Sequence, residues 1–520
     1  MKIRLAVLFW MAGVAGILAA PKPPPAHEFF TDGRIRTFRI TLEQPGLAVL
    51  EKNDRSYVKA TVTEGTNIYK DVGIHLKGMG SFRPFNEKPS IAVKFDKYVE
   101  KQEFHGLSKL MLNNSSQDGT YLAEMMATQM FRDAGLPAAR VAHAFVEVNG
   151  RPLGLYVAIE AMNKDFLKQY FRNTQGNLYE AYLQDIDQHL DQDGGTDATQ
   201  ADLTNLVAIA TIKKPLERWN ALQRVLEVDK YVSHLVLELF ASHTDGYARN
   251  RNNYRLYHDP STGRFNFLVH GLDWAYADTG VSIEPPRSSI ITKAVIQTPQ
   301  GRQLYRERLR ELYTNVFRVD VMTNRVSLAV ANLKRAARNE NEAREFENYG
   351  NEMRNRIVAR HRNIAEQLAK PEPKPLALDA NGVAQLSGWK LKEAGDRWTQ
   401  DEARIDGRST FHIRAVKGDT IASWRTSVSL EEGSYRLQAL ARVAGVTALT
   451  NDVKLANGAG LRVSGGKRTQ QLLGSSDWMP LEYEFEVEAG GEEKELVCEL
   501  RAREGEVWFD AASLKLVRRK

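Results

Sequence analysis

The spacing of apolar residues changes twice along this chain, and the two changes limit the folds that it can adopt. From Arg34 onward, apolar and polar residues alternate in short runs such as RIRTFRITL and SYVKATVTE, and this period of two predicts half-buried β-strands. Between about residues 164 and 370, apolar residues mostly recur at helical spacing. Beyond residue 376 the period of two returns. The sequence therefore predicts an α+β domain, with a β-rich lobe before a larger helical lobe, followed by a separate all-β domain.

Several individual elements are indicated within this outline. Helices are predicted over residues 120–134, 164–171, 202–210 and 228–243 and in a block over 301–370. Asn149-Gly150 separates two alternating runs and is typical of a β-hairpin turn. After residue 376, seven short alternating runs with glycine-rich turns favour a β-sandwich of the jelly-roll type.

The amino terminus carries the pattern of a secretory signal. Lys2 and Arg4 precede an apolar run that small alanines close at Ala20. Export would make the protein secreted, periplasmic or attached to the cell surface. No second apolar run reaches membrane-spanning length. The predicted division is a signal peptide (1–20), a Pro-rich linker (21–33), an α+β domain (34–370), a linker (371–376) and a β-sandwich (377–520).

Composition narrows the function further. The formal net charge of +6 is small for 520 residues, and basic clusters over 302–310 and 335–362 have helical patterning typical of a solvated face. No nucleic-acid partner is predicted. The single cysteine, Cys498, excludes an intramolecular disulfide and is predicted in the core. Neither a Walker loop, nor a Rossmann glycine fingerprint, nor a nucleophile elbow is present in the sequence.

Tryptophans are concentrated in the predicted sandwich. Five of the eight fall there: Trp389, Trp398, Trp424, Trp478 and Trp508. They either fill the core or include an exposed pair that stacks on sugar rings, as in a carbohydrate-binding domain.

Polar residues crowd a predicted hairpin between His243 and Asp278. Asp245 is followed by three asparagines, and Asp273 ends the next strand. Acids and amides in this order can hold a divalent cation against phosphate oxygens while one carboxylate orients a hydroxyl group. The alternative interpretation is that these residues are ordinary turn formers.

Other polar clusters have simpler interpretations. The acidic run Asp185, Asp187, Asp191 and Asp193 fails the EF-hand spacing and is predicted to be a solvated loop. His243, His258 and His270 flank the polar hairpin, and isolated hydrogen-bonded histidines are favoured over a metal-binding trio.

Four short segments occur in a recognisable order along the chain. They are KGMGS at 77–81, KPSIAVKF at 88–95, the run from Asn149-Gly150 through GLY at 154–156 to Glu160 and DFL at 165–167, and the polar stretch with Asp245, Asn253-Tyr254 and GLDW at 271–274. Together they resemble the CotH kinase family of atypical kinases. The resemblance spans roughly residues 34–368. It implies an altered, two-lobed protein-kinase fold and transfer of the ATP γ-phosphoryl group to serine or threonine, with Mg²⁺ or Mn²⁺.

The resemblance also implies roles for particular residues. Asp245 would orient the acceptor hydroxyl, and Asp273 would hold the metal ion together with Asn250 or Asn253. The nucleotide would be bound by Lys77, Gly78, Gly80, Ser81, Lys88 and Lys94, with Glu160 near the adenine or the hinge. The chain departs from many members at Gly271, where they carry an aspartate, and at Lys77, where they carry an arginine that can bind in bidentate geometry.

Three functions remain open on the sequence. The first is an exported kinase acting on secreted or surface proteins, with a sandwich that brings it to a protein or a polysaccharide. The second is a non-catalytic surface-binding or scaffold protein in which the sandwich binds a glycan or a protein. The third is a nucleotidyl transferase using the same phosphate-binding parts.

Overall fold

The computed structural model describes residues 23–53, 55–371, 374–391, 398–416, 418, 420–449, 457–487 and 491–519. The predicted signal peptide over 1–20 lies outside these residues, as do residues 372 and 373 of the second predicted linker.

Seven strands close into a barrel that forms the first lobe, in the order β1-β2-β3-β4-β5-β7-β6. They are β1 (Arg36–Thr41), β2 (Val58–Glu64), β3 (Asn67–Lys77), β4 (Ser90–Lys94), β5 (Lys109–Asn113), β6 (Val141–Val148) and β7 (Arg151–Glu160). Closure comes from β1, which pairs in parallel with β6. The predicted hairpin at Asn149-Gly150 is confirmed, since β6 and β7 pair antiparallel across it.

The first predicted linker contains ordered structure instead of an extended segment. Helix α1 (His27–Thr31) buries Phe29 against the barrel core. The ring centroid of Phe29 lies 5.0 Å from that of Phe104 and 6.0 Å from that of Phe38. The prolines before Ala26 suggested a spacer, but the apolar pair Phe29-Phe30 makes burial of this segment favourable.

Two further helices lie between barrel strands in the chain. They are α2 (Gln44–Glu51) and α3 (Ala123–Asp133), the latter close to the helix predicted over 120–134. Asp118 fixes the start of α3, because its Oδ2 accepts a hydrogen bond from the backbone N–H of Ala123 (2.9 Å).

The second lobe combines helices with a four-stranded sheet of order β11-β10-β8-β9. The helices are α4 (Lys164–Tyr170), α5 (Ala201–Ala210), α6 (Pro215–Val225), α7 (Val228–Phe240), α8 (Tyr247–Asn250), α9 (Ile290–Ile296), α10 (Pro299–Asn315), α11 (Val319–Ala336) and α12 (Glu340–Leu368). The strands are β8 (Leu178–Ala181), β9 (Asp191–Gly194), β10 (Tyr254–Asp259) and β11 (Arg264–Val269). The two-lobed α+β prediction is confirmed. Among the helices that the structure describes, none is both long and apolar enough to cross a membrane.

The prediction that the acidic run is a solvated loop was wrong for Asp185, whereas Asp187, Asp191 and Asp193 are exposed, the last two within β9. Asp185 is buried and accepts hydrogen bonds from Tyr247 Oη (2.9 Å) and Ile290 N (2.9 Å). Asp193 lies in β9 and pairs with Arg255 (2.6 Å). These partners lie sixty or more residues away in the chain, so the acidic spacing alone carried no sign of them.

Beyond the second linker, two sheets pack face to face as a β-sandwich. The larger has the order β12-β22-β17-β21-β15-β14 with β19 also paired to β17, and the smaller has the order β13-β16-β20-β18. Their strands are β12 (Val383–Gln385), β13 (Lys390–Leu391), β14 (Trp398–Ile405), β15 (Arg408–Ala415), β16 (Thr420–Leu430), β17 (Gly433–Val446), β18 (Gly458–Val463), β19 (Gly474–Val487), β20 (Glu492–Ala502), β21 (Gly505–Asp510) and β22 (Lys515–Arg518). Both sheets contribute to one core, in which Cys498 is buried as predicted.

The tryptophans of the sandwich divide between core and surface. Trp389 and Trp424 are buried in the core. Trp478 and Trp508 are partly exposed on the larger sheet, where Trp508 stacks on the ring of His412 at a centroid distance of 4.9 Å. The side chain of Trp398 lies outside the described part of the structure.

Candidate active site

A cavity of about 1240 Å³ is lined by residues of both lobes of the α+β domain. All of the predicted site residues except Lys88 line it: Lys77, Gly78, Gly80, Ser81, Lys94, Glu160, Asp245, Asn250, Asn253 and Asp273. Residues separated by almost two hundred positions in the chain therefore share one concave surface.

The carboxylate of Asp245 is held by three side-chain amides. Asn250 Nδ2 donates to its Oδ1 (2.6 Å), while Asn252 Nδ2 (2.9 Å) and Asn253 Nδ2 (3.0 Å) both donate to its Oδ2. These contacts form because α8 is a single turn that returns the chain towards Asp245 before β10 begins. The carboxylate is thus fixed in position while remaining partly exposed to the cavity.

The three asparagines are not equivalent. Asn252 is buried and uses both ends of its amide, since its Oδ1 also accepts a hydrogen bond from Leu183 N (3.1 Å). Asn250 and Asn253 donate through Nδ2, and their Oδ1 atoms accept no hydrogen bond from the described residues. Two amide oxygens at the cavity are therefore still available as ligands.

Lys77, at the end of β3, also lines the cavity and lies close enough to two acids for their charges to affect it. Burial lowers the pKa of its ammonium group, and the carboxylates of Asp273 and Glu124 oppose that shift. Burial raises the pKa of Glu124, and the neighbouring Asp273 raises it further. The pKa of Asp273 is raised by burial, with Lys77 acting in the opposite direction. Burial disfavours the charged forms of both Lys77 and Asp273. A negatively charged group bound near Lys77, together with a cation bound near Asp273, would stabilise these charged forms.

The glycine loop after β3 is shaped by close contacts. Gly78 has a φ of +103°, and a Cβ at this position would lie 2.9 Å from Ser81 Oγ. Asn114 Nδ2 donates to Ser81 O (3.3 Å) and to Lys88 O (2.8 Å), which ties both ends of the loop to the barrel. The loop backbone is thereby held over the cavity with no side chain at Gly78.

A family model described as CotH kinase protein matches residues 74–366, which is more than half of the 520 residues. The chain belongs to the CotH kinase family. The matched range contains both Lys77 and Asp273, and the prediction of a kinase-class enzyme is confirmed at this level.

Known proteins similar to this CotH family member differ strongly in sequence. It is 22% identical over 284 residues to the inner spore coat protein H of Bacillus subtilis (strain 168), covering 49% of this chain and 75% of that protein. It is similar to the Helicobacter pylori proinflammatory kinase CtkA at 12% identity, with a TM-score of 0.27, covering 53% of this chain and 94% of that one. Over 26% of this chain it is similar to TmCBM61, solved in complex with β-1,4-galactotriose, at 17% identity and a TM-score of 0.19, covering 90% of that chain.

One residue of this CotH site, Glu124, was missed in the sequence. Glu124 on α3 is buried at the cavity, and its Oε2 has no hydrogen-bond partner among the described residues. A signal for it was available, since Glu124 falls on the same buried helix face as Thr128 and Phe131. The sequence also carried an unused signal for choosing between Asn250 and Asn253. The spacing between Asp245 and Asn250 equals that between the catalytic aspartate and the metal-binding asparagine of protein kinases. This spacing favours Asn250 as the metal contact without excluding Asn253.

The remaining predicted residues lie at different distances from the cavity. The Glu160 carboxylate is buried at the end of β7, paired with Arg140 (2.5 Å) and accepting a hydrogen bond from Gln169 (2.6 Å), so it fixes the connection between the lobes. Lys94 lines the cavity, with Nζ 4.0 Å from Asp96. Lys88 does not line the cavity, because its Nζ donates to Tyr121 Oη (2.5 Å) and lies over the Tyr121 ring.

Gly271 occupies a position that an aspartate cannot simply take over. Its φ is +59°, and a Cβ there would lie 2.8 Å from Asn253 Cγ and Oδ1. The carbonyl oxygen of Gly271 also accepts a hydrogen bond from Asn253 Nδ2 (3.3 Å). The missing family carboxylate is thus replaced by close packing that helps to orient Asn253.

The three histidines around the hairpin differ in their partners. His258 Nδ1 is 2.9 Å from Asp202, and His270 Nε2 is 3.5 Å from Glu180. His243 is buried, and neither ring nitrogen has a hydrogen-bond partner among the described residues. No group of three or more His, Cys, Asp or Glu side chains forms a metal-binding cluster in the part of the chain that the structure describes.

The oxygen atoms at the site suit a hard divalent cation. They comprise the Asp273 carboxylate and the Oδ1 atoms of Asn250 and Asn253, all at the cavity. Mg²⁺ is commonly held by one or two carboxylates together with substrate phosphates instead of by a cluster of protein ligands. The residues present therefore fit a metal ion that arrives with a nucleotide.

Proposed function

We propose that the protein is an exported protein kinase that transfers the γ-phosphoryl group of ATP to serine or threonine hydroxyls of secreted or surface proteins. The observation that carries this proposal is the Asp245 carboxylate, held by three amides at a cavity that also contains Lys77 and Asp273. A fixed carboxylate facing a phosphate-binding surface is what orientation of an acceptor hydroxyl requires.

Each residue then has a distinct task. Lys77 and the backbone of the Gly78–Gly80 loop bind phosphate oxygens, and Ser81 closes the loop. Asp273, with the amide oxygen of Asn250 or Asn253, would hold Mg²⁺ or Mn²⁺, which when bound neutralises charge on the phosphates. Asp245 accepts the hydrogen bond of the acceptor hydroxyl and takes its proton as the new oxygen–phosphorus bond forms and the bond to the departing ADP oxygen breaks.

Glu124 would position Lys77. Its buried carboxylate lies close enough to shift the pKa of the lysine, and an acid on a helix beside the phosphate-binding lysine serves this purpose in protein kinases. Lys94 is a second cation at the same cavity, whereas the contacts of Lys88 with Tyr121 favour a structural role.

The sandwich is proposed to bring the kinase domain to a polysaccharide or protein surface. Partly exposed Trp478 and Trp508 on the larger sheet support this idea, since amphipathic rings are frequent in such contacts. The division into a kinase domain over 34–370 and a binding domain over 377–520, after a signal peptide, belongs to the same proposal.

A non-catalytic scaffold is the second candidate. It is favoured by Gly271, which leaves one carboxylate fewer than many family members carry, and by the low availability of ATP outside cells. The retained amide cage around Asp245 favours catalysis, because a scaffold would have no need to orient this carboxylate.

The test is incubation of the purified chain with ATP and Mg²⁺ or Mn²⁺, followed by intact-mass and peptide mass spectrometry of candidate acceptor proteins. Gain of one phosphoryl group by the acceptor, lost in Asp245→Asn, supports the kinase. Gain of an adenylyl group would indicate nucleotidyl transfer instead. Asp229→Asn is the matched control, because Asp229 is exposed on α7 and pairs with Arg308 at the surface. No product and no metal-dependent nucleotide binding would favour the scaffold.

A further inference from the structure

Two exposed apolar residues, Tyr182 and Leu183, follow β8 and line the mouth of the cavity; we call them the apolar lip. Tyr182 is 49% exposed and Leu183 is 50% exposed. Single exposed apolar residues are ordinary on protein surfaces, but an adjacent pair at the mouth of a charged cavity is characteristic of a binding surface.

The backbone under the lip is firmly anchored. Leu183 N donates to Asn252 Oδ1 (3.1 Å), and Gln184 O accepts from Tyr254 Oη (3.0 Å). Asp185 then accepts from Tyr247 Oη (2.9 Å). The exposure of the lip is therefore built into the fold, since the segment is held on both sides of the exposed side chains.

Leu183 has an unfavourable backbone conformation. Its φ is +53°, in the left-handed region that leucine rarely adopts. Residues held in such conformations by their surroundings occur preferentially at functional sites. Here the surroundings include the hydrogen bond from Leu183 N to Asn252, so the conformation is enforced from the catalytic side of the cavity.

The position of the lip identifies what it contacts. A single side chain, Asn252, links Leu183 N to the Asp245 carboxylate, with hydrogen bonds of 3.1 and 2.9 Å. The opposite end of β8 begins at Leu178, which packs with Met162 and Phe166 at the connection between the lobes. The lip thus lies at the end of the cavity where a hydroxyl would meet Asp245, away from the connection between the lobes.

We propose that the apolar lip recognises the acceptor, and that the acceptor is a polypeptide with a large aliphatic or aromatic side chain next to the phosphorylated serine or threonine. This inference rests on the proposed kinase function. Because neighbouring Cα atoms in a chain are about 3.8 Å apart, a hydroxyl at Asp245 brings the flanking side chain within reach of a surface separated from Asp245 by one asparagine. A polypeptide is favoured over a sugar because the lip consists of the Leu183 hydrocarbon and the Tyr182 phenol, whereas a sugar would need several hydrogen-bonding side chains.

The experiment is phosphorylation of a positional-scanning serine/threonine peptide library by the full chain with ATP and Mg²⁺. We expect the parent to prefer Leu, Met or Phe at one flanking position. Leu183→Gly retains the backbone conformation but removes the side chain, and it should lower kcat/KM for the preferred peptides by about tenfold, mainly through KM. Peptides with alanine at that position should change by less than about twofold. Leu328→Ala, at a leucine on α11 that is 58% exposed, is the control and should leave the preference intact.

Each other outcome has a separate meaning. Phosphorylation without a flanking preference overturns the inference and leaves the kinase function standing. Metal-dependent ATP binding with no peptide phosphorylated overturns the assignment of a peptide acceptor. Absence of both removes the proposed function and this inference together. A change in sedimentation of Leu183→Gly with unchanged peptide preference would mean that the lip binds a second copy of the chain.

Discussion

Replacing Gly271 by aspartate separates two accounts of the site. On sequence comparison, the substitution supplies the carboxylate that many family members carry, and metal binding should become stronger. On the structure, it should become weaker, because the position has a φ of +59° and a Cβ would lie 2.8 Å from Asn253. The two accounts therefore predict changes of opposite sign.

The size of the effect follows from two contributions. A left-handed conformation costs a residue with a Cβ about 1–2 kcal/mol of folding free energy. Displacing Asn253 also disrupts its hydrogen bond to the Asp245 carboxylate (3.0 Å), and hydrogen bonds to charged groups contribute about 1.5–3 kcal/mol. If the second contribution is lost from the transition state, kcat/KM should fall by roughly 10- to 150-fold.

A thermal-shift titration with ATP and Mg²⁺, paired with the phosphorylation assay, measures both contributions. Gly271→Ala introduces the Cβ alone. Gly263→Ala is the matched control, since its φ is +66° but a Cβ there meets nothing within 4 Å. We expect Gly263→Ala to lower the melting temperature while retaining the nucleotide-dependent shift, and both Gly271 variants to lose that shift. A Gly271→Asp protein that binds nucleotide and metal as well as the parent would refute the reasoning.

Three further perturbations test other parts of the kinase domain. Arg360→Met should lower the free energy of unfolding by about 3 kcal/mol, because it leaves buried carbonyl oxygens without a donor. The buried guanidinium donates to Leu239 O and Val281 O (both 2.5 Å) and so joins the end of α7 to the segment after Asp273; a change below about 1 kcal/mol in denaturant unfolding would contradict this. Glu124→Gln should reduce kcat/KM by about tenfold without loss of fold, since it removes the carboxylate beside Lys77, and unchanged kinetics would exclude the positioning role. The hydrogen bond with Asp202 raises the pKa of His258. Burial acts to raise the pKa of Asp202, but the hydrogen bonds that this carboxylate accepts outweigh burial and lower its pKa to about 2. The stabilisation by this pair is thus complete between 3.8 and 6.5, the ordinary pKa values of the two groups, and is lost as pH rises through the raised pKa of His258 or falls towards 2. Asp202→Asn should therefore cost about 1 kcal/mol at pH 5 and less at pH 9, by denaturant unfolding, and an equal loss at both pH values would count against the ion pair.

Much of the fold was predictable because its signals are local. The alternating runs became the barrel strands, and the helical spacing over 120–134 became α3 within a few residues of the expected ends. The Asn149-Gly150 turn followed from residues that adopt positive φ readily, with values of +47° and +78°. The short strands after residue 376 likewise formed a sandwich with Cys498 in its core.

The site was predicted less completely, because its residues converge through long-range pairing. The sequence suggested Asp245 and Asp273, and the helix face of Glu124 indicated only that this residue is buried, not that it lies beside Asp273, which is more than a hundred residues later. Lys88 was included because of the family resemblance of the segment over 88–95, and in the structure its Nζ donates to Tyr121 Oη. Nothing in the sequence singled out Tyr182 or Leu183, and only the tertiary structure shows their exposure at the cavity.

The sequence by itself determined which segments become strands and helices, since hydrophobic period, turn residues and helix ends depend on near neighbours. The order of its motifs also determined the family. Tertiary structure alone decided that β1 closes the barrel by pairing with β6, that three asparagines converge on one carboxylate, and that Gly271 packs against Asn253. The physical reason is that these contacts join segments whose approach depends on the packing of the whole domain, so the direction and burial of each side chain are properties of the assembled fold.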